Sequence, residues 1–463
     1  MTETVTERSP RERGLSTEHS EREPGLMTLL RGWGASIALA VILVPILLIQ
    51  PWTTYLDQGP IRSDGVGYFA WTRAVTDGRS SFCEYKWVAL QGGITVPRPT
   101  KKNPKATICI NRYPPGLAIL QFPVMAVLSA RSDPTNPVSP AQHEASLWLG
   151  GLALLTTCLV VTGTARRLGA EGWGVQLAVL TFAFGAGLFS YGTYLASFVH
   201  VHVAMFIALL VWSGVRVQQQ GRSRLTTIVT LLGGFFIVSM RNIDLSIIAI
   251  LVAFYVAWAW RGGTGSVRAR ALELARDLLP LAIGISGAIA LQLAINRHNF
   301  GYFELSSYKG DTFIFDRPYQ RQVLFSYTRG FFVYAPVALV TIVVGLTVAR
   351  ARAVTAIYTV LVAALTVIYG FWDYWALGAG AGYGHRGFID AAPVGMLAAA
   401  LAFTHAQRAL RTTAVVLAVG ATLWSLQLMI LMLGYHYPEY TVDAKTFWSH
   451  TIGRDSLIGR MVR

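Results

Sequence analysis

The feature that most constrains this chain is a series of continuous apolar runs, each about 17–22 residues long, separated by short basic clusters. At 1.5 Å per residue, a helix of that length spans a hydrocarbon layer of about 30 Å. Backbone N–H and C=O groups find no partners in hydrocarbon, so a spanning segment must be a helix or part of a closed barrel. Barrel strands are half as long and alternate in polarity, and these runs do neither. Only 14% of the residues are charged against 53% hydrophobic, and thirteen Trp and nineteen Tyr suit membrane interfaces. The expected fold is an all-α polytopic membrane protein. The net charge of +15 would fit nucleic acid if a soluble basic domain carried it, but most of the excess sits in short loops between the runs. There it sets orientation instead.

Residues 1–31 are polar and charged, and read as a disordered cytoplasmic tail. A cleaved signal peptide does not fit, because the next apolar run is long and no small-residue cleavage pattern follows it. The first span is 34–50, and Arg22 and Arg31 before it place the N-terminus inside. The region 51–142 is then outside. Within it, 113–130 is apolar but begins Pro114-Pro115-Gly116 and contains Pro123. The following run, 143–165, ends at Arg166-Arg167, an inside signal, so 113–130 must begin and end outside, as an interfacial or re-entrant helix.

Spans follow at 172–190 and 198–216. Arg216, Arg222 and Arg224 mark one inside cluster, and Arg261, Arg268, Arg270 and Arg276 the next. Parity demands a hairpin of two short spans between them, turning near 239–242. That turn keeps Arg241 and Asp244 away from a helix centre, where an isolated charge costs about 2.5–3.5 kcal/mol. Spans at 277–295, 333–348, 353–371, 388–404 and 412–433 complete about eleven. They leave outer loops at 296–332 and 372–387 and an outer tail at 434–463. The transmembrane domain is thus 32–433, with no separate soluble domain.

Cys83 and Cys109 fall in the first outer region, where a disulfide is permitted and would stabilise by roughly 3 kcal/mol. Two free thiols fit the spacing equally. Cys158 lies in a span and reads as packing. C-x-x-C spacing is absent, so no zinc site is indicated.

Polar, aromatic and charged residues gather on the outer side. The first loop has Asp64, Tyr68, Asp77, Glu84 and Arg112; the hairpin tip has Arg241; the second loop has Tyr308, Lys309, Asp311 and Arg329; the third has Trp372, Asp373, Tyr374, Trp375, His385 and Arg386. Asp64 stands at the head of Asp64-Gly65-Val66-Gly67 and has two compatible readings, a helix cap or a general base. Arg241, Arg329 and Arg386, with His385, are candidate phosphate ligands, since guanidinium groups bind phosphate bidentately; snorkelling to headgroups is the plain alternative. Gly382-Tyr383-Gly384-His385-Arg386-Gly387 matches G-x-G-x-x-G, but no strand precedes it, so the dinucleotide reading fails. His200 and His202, two apart on a helix, point in different directions and make a poor chelate. No Walker motif is present.

With these residues in place, the chain resembles the GT-C type of polytopic glycosyltransferases, near the bacterial mannosyl- and arabinosyltransferase-like members. SDGVGYFAWTRAVTDG, from Ser63, resembles the acidic motif early in that family's first outer loop. NRYPPGLAILQFP, from Asn111, resembles its amphipathic segment on the outer leaflet. FSYTRGFFVYAPVAL, from Phe325, and GYGHRGFIDAAP, from Gly382, resemble two further stretches. The resemblance covers about 34–404. It implies a monosaccharide moved from a polyprenyl-phosphate lipid to a glycan, lipid or protein acceptor, with inversion, on the outer face of a bacterial cytoplasmic membrane. Asp64 takes the catalytic-base position. Tyr68, Glu84, Tyr308, Trp372 and Tyr374 are expected to hold sugar or acceptor. No cofactor is required, although some relatives use a divalent metal. Many members have a paired Asp-Glu where Asp64 is followed by Gly65, so a second carboxylate would come from Asp77 or Glu84. The rival reading is a transporter or lipid flippase; the absence of a visible inverted repeat and of midplane charge counts against it.

Overall fold

The computed structural model describes residues 26–49, 59–78, 82, 95–97, 107–109, 111–129, 138–262, 266–305, 313–372, 382–433 and 443–451. An apolar helix stands at each expected span. They are α1 (Leu26–Ile49), α4 (Pro140–Arg167), α5 (Trp173–Gly185), α7 (His200–Gln220), α8 (Arg224–Met240), α9 (Leu245–Gly262), α10 (Val267–Phe300), α13 (Pro336–Thr347), α14 (Arg352–Phe371), α15 (Ala392–His405) and α16 (Arg408–Leu433). Between them lie α2 (Asp64–Thr76), α3 (Gly116–Ser129), the short helices α6 (Leu188–Gly192), α11 (Gln320–Phe325) and α12 (Phe331–Tyr334), and finally α17 (Ala444–Thr451). Seven helical segments among the described residues are long and apolar enough to cross a membrane. The protein is therefore an integral membrane protein of helical type. The stretch between α2 and α3 also holds a two-stranded antiparallel ribbon, β1 (Thr95–Pro97) against β2 (Thr107–Cys109).

Two expectations meet local corrections. The run 172–190 is not one helix: α5 stops at Gly185, Gly187 takes φ 84°, and α6 starts anew. A left-handed residue cannot continue a right-handed helix, and glycine adopts it without strain. The run 333–348 likewise begins as α12 and restarts at Pro336, at the first position of α13, where a missing N–H does no harm. A turn stands within the expected 239–242: α8 ends at Met240, Arg241 is extended, and a 3-10 turn leads into α9. Helix α3, at 14 residues, is about 21 Å long, short of a full hydrocarbon crossing.

The bundle is organised around α15. The segment Arg386–His405 is 94% buried, against 28% for the long helix α10. Its sequence, APVGMLAAALAFTH, is mostly small, so α4, α5, α7, α13, α14 and α16 all pack against it. Its two ends differ. At one end the basic clusters meet: Gln219 Nε2 donates to the Arg167 carbonyl at 3.0 Å, and Arg222 Nη1 to the Arg276 carbonyl at 2.8 Å. At the other end stand Asp64, His200, Arg241, Tyr369 and Arg386.

Candidate functional site

The site forms where the start of α2 meets the chain leading into α15. Ahead of α2 the chain turns sharply. Ser63 has φ 48°, the left-handed region that non-glycine residues seldom occupy. Its side chain makes no capping bond, and the first helical residue is Asp64 itself. Asp64 is therefore not the cap. Its carboxylate reaches across the site: Oδ2 lies 2.8 Å from Arg386 Nη2, and Oδ1 accepts from the Tyr113 hydroxyl at 3.0 Å. Lying at the positive end of the helix still favours its charge.

The two motifs that begin at Ser63 and Asn111 fold as one unit. Asn111 Nδ2 donates to the Gly67 carbonyl at 2.6 Å, and Asn111 Oδ1 accepts from the Tyr113 amide at 3.1 Å. Trp71 Nε1 donates to the Tyr113 carbonyl at 2.7 Å, and the Tyr68 ring meets Tyr113 edge-on with centroids 5.1 Å apart. Glycine at 67 is what lets the ring in: a Cβ there would lie 1.9 Å from Tyr113.

Opposite Asp64, Arg386 is buried and its guanidinium lies over the Phe198 ring, 5.3 Å from the centroid. Arg386 opens a six-residue 3-10 helix, Arg386–Ala391, that runs into α15. Asp390, on the same helix, is fully buried. Its Oδ1 lies 3.1 Å from His200 Nδ1, and its Oδ2 pairs with Arg241. Arg241 also donates to the Tyr369 hydroxyl at 2.6 Å and stands 3.8 Å from Asp244. Two buried carboxylates thus flank one guanidinium.

Arg329 is buried too, and its Nη1 donates to the Gly382 carbonyl at 2.8 Å. The Tyr383 hydroxyl donates to the carbonyls of Tyr334 and Ser425, at 3.0 and 2.8 Å, which fixes the loop ahead of Arg386. His385 packs against the rings of Tyr369 and Phe388, at 4.9 and 5.0 Å. Burial, and then Arg386, Arg329 and Arg241, push its imidazole down to about 3, so it is neutral at ordinary pH.

The structure thus brings together Asp64, Arg241, Arg329, His385, Arg386 and Tyr68 from four separate stretches of chain. Trp372 borders this group, stacked parallel to Tyr369 with centroids 6.2 Å apart and bridged to Phe313. Asp77 ends α2, about 20 Å from Asp64 along the axis, and pairs with Arg73 at 3.4 Å, so it is no partner for Asp64. Glu84, Tyr308, Lys309, Asp311, Asp373, Tyr374, Trp375 and Cys83 lie outside the described residues; Cys109 stands opposite Thr95 in the ribbon. His200 and His202 do diverge, toward Asp390 and toward Gln121 at 3.4 Å. Among the described residues no group of three or more His, Cys, Asp or Glu side chains could hold a metal ion.

Sequence reasoning missed Tyr113, Tyr369 and Asp390, the partner of His200. A polar side chain inside an apolar run was the available signal for Asp390. Nothing local marked the tyrosines. Compared with known proteins, the chain matches no protein-family model, no curated protein and no solved structure.

Proposed function

We propose that the chain is an inverting glycosyltransferase of the GT-C type, which moves a monosaccharide from a polyprenyl-phosphate lipid to a cell-envelope glycan, lipid or protein. The reading takes all eleven apolar helices as spans of a bacterial cytoplasmic membrane, with the N-terminus inside and the Asp64 end outside. The observation that carries it is the Asp64–Arg386 pair. A carboxylate able to take a proton and a guanidinium able to hold a phosphate stand 2.8 Å apart at one end of the bundle.

The chemistry follows from that spacing. Asp64 removes the proton of the acceptor hydroxyl, within the 2.6–3.2 Å or so that such transfer needs, for about 10²–10⁴-fold in rate. The acceptor oxygen bonds to the anomeric carbon from the face opposite the phosphate. The carbon–oxygen bond to the lipid phosphate breaks, and its electron pair leaves on a phosphate oxygen beside Arg386. Stabilising charge where it develops is commonly the largest catalytic effect. Arg329 is the second phosphate ligand. Arg241, committed to Asp390 and Tyr369, holds the floor of the site instead. Tyr113 orients Asp64, and Tyr68 lines the approach.

The transporter reading draws on the buried ionisable groups. These lie at the first residues of their spans (His200, Asp244, Arg386 and Asp390) and not at mid-height, which favours the transferase. The test is sugar transfer in nanodiscs, with a panel of polyprenyl-phosphate monosaccharides and mixed envelope acceptors. Wild type should release polyprenyl phosphate; Asp64→Asn should bind donor and stay inert. Full turnover by Asp64→Asn would remove Asp64 as base, and no donor consumption by wild type would favour transport.

A further inference from the structure

At the basic end of the bundle, far from Asp64, a groove of about 560 Å³ opens between α8 and α10. Its walls are apolar: Ile228 and Leu231 on one helix, Leu279, Pro280 and Ile283 on the other. Its mouth carries Arg222, Ser223, Arg224 and Thr227, and no acidic residue lines it.

The two helices explain the shape. Nearer the site end they touch backbone to backbone: a Cβ on Gly284 would lie 2.1 Å from the Leu231 carbonyl oxygen, and one on Gly234 would lie 2.8 Å from that of Leu281. Toward the basic end Pro280, which lies inside α10, lines the groove. Proline there removes an N–H and bends the helix, so the carbonyl of Arg276 loses its partner. Arg222 Nη1 supplies the replacement at 2.8 Å. The guanidinium of Arg222 is thereby pinned at the mouth of the cleft that the proline opens. Arg224, one turn from Thr227 and Ile228, makes no hydrogen bond or ion pair among the described residues, and is exposed. Asp277 on α10 is engaged elsewhere, accepting from the Tyr255 hydroxyl at 2.8 Å, on α9. A capping box at the start of α8 already serves the amides of Ser223 and Thr226.

We propose that this groove binds one anionic phospholipid, its phosphate between Arg222 and Arg224 and one acyl chain along Ile228, Leu279 and Ile283. Charge at the mouth selects the headgroup, and the walls accept hydrocarbon: Ile228 and Leu279 are each 55% exposed, on helices apolar enough to face lipid. A basic mouth above an apolar slot between two helices suits an anionic lipid better than a neutral or cationic one.

The test is native mass spectrometry of the full chain, with phosphatidylglycerol and phosphatidylcholine of matched chains offered together. Wild type should retain one phosphatidylglycerol in preference. Losing each arginine should lower that preference about fivefold, so R222Q/R224Q should lower it about 25-fold. Leu279→Trp, which fills the slot and keeps both charges, should expel the lipid. R408Q/R411Q removes two charges from the same end and should change nothing. Should R222Q/R224Q fail to fold, Leu279→Trp still decides. No preference in wild type, equal loss in both arginine pairs, retention in Leu279→Trp, or a second copy of the chain on this face would each overturn the proposal.

Discussion

Arg386 Nη2 stands 2.8 Å from Asp64 Oδ2, so one ion pair joins the head of α2 to the lead-in of α15, which belongs to the most buried of the seven long apolar segments among the described residues. Arg386→Lys keeps the charge but loses the planar fork and the face that lies over Phe198. Hydrogen bonds to charged groups contribute about 1.5–3 kcal/mol, so donor affinity should fall about 10- to 150-fold with the fold intact. Titrating polyprenyl-phosphate sugar against the variant measures this, and unchanged affinity would remove Arg386 from the phosphate site.

The Arg241–Asp390 pair should behave differently from its neighbour Asp244. Asp390→Ala leaves a buried guanidinium short of its main partner and should destabilise by about 3–5 kcal/mol. Asp244→Asn removes the second of two carboxylates around that guanidinium, and should cost less than about 1 kcal/mol or stabilise. Thermal unfolding in detergent distinguishes them; equal losses would show that Asp244 is the principal counter-ion.

His385 gives a pH signature. Its folded value is lowered to about 3 from the ordinary 6.5, so the unfolded chain binds the proton more readily. Its contribution to stability is therefore complete above about pH 6.5 and is lost as pH falls toward 3. Melting temperatures should drop over that window, and less steeply in His385→Asn. An unchanged acid limb in the variant would place the effect on other groups.

Gly67→Ala puts a methyl group where the Tyr113 ring lies. Overpacking of this kind costs about 1–3 kcal/mol, and the ring must shift. Because Tyr113 holds Asp64, turnover should fall more than stability does, and Tyr113→Phe should lower turnover without the stability loss. A variant with wild-type turnover would show that Tyr113 does not position the carboxylate.

Much of the helix order was legible because apolar length and basic loop ends are local properties, and parity then placed the turn at Arg241. The break at Gly187 was not, since a single glycine in an apolar run is compatible with a continuous helix until packing decides. In the site, Asp64 and Arg386 could be named from their motifs, but not that they touch. Tyr113 lies 49 residues from Asp64, and His200 lies 190 from Asp390. Such pairings are set by which helices neighbour α15, and no sequence window contains them. The capping reading of Asp64 was reasonable from spacing and failed because Ser63 turns the chain one residue earlier than a cap requires.

Arg386 and Asp390 share one short helical turn at the head of α15, itself enclosed by six other helices. That arrangement divides labour within the protein. One side of the site is set by a helix that six others enclose; the other is carried on α2, whose main helical neighbour is α3. Substitutions near Arg386 should therefore disturb the seating of several helices at once, whereas those on α2 should act more locally.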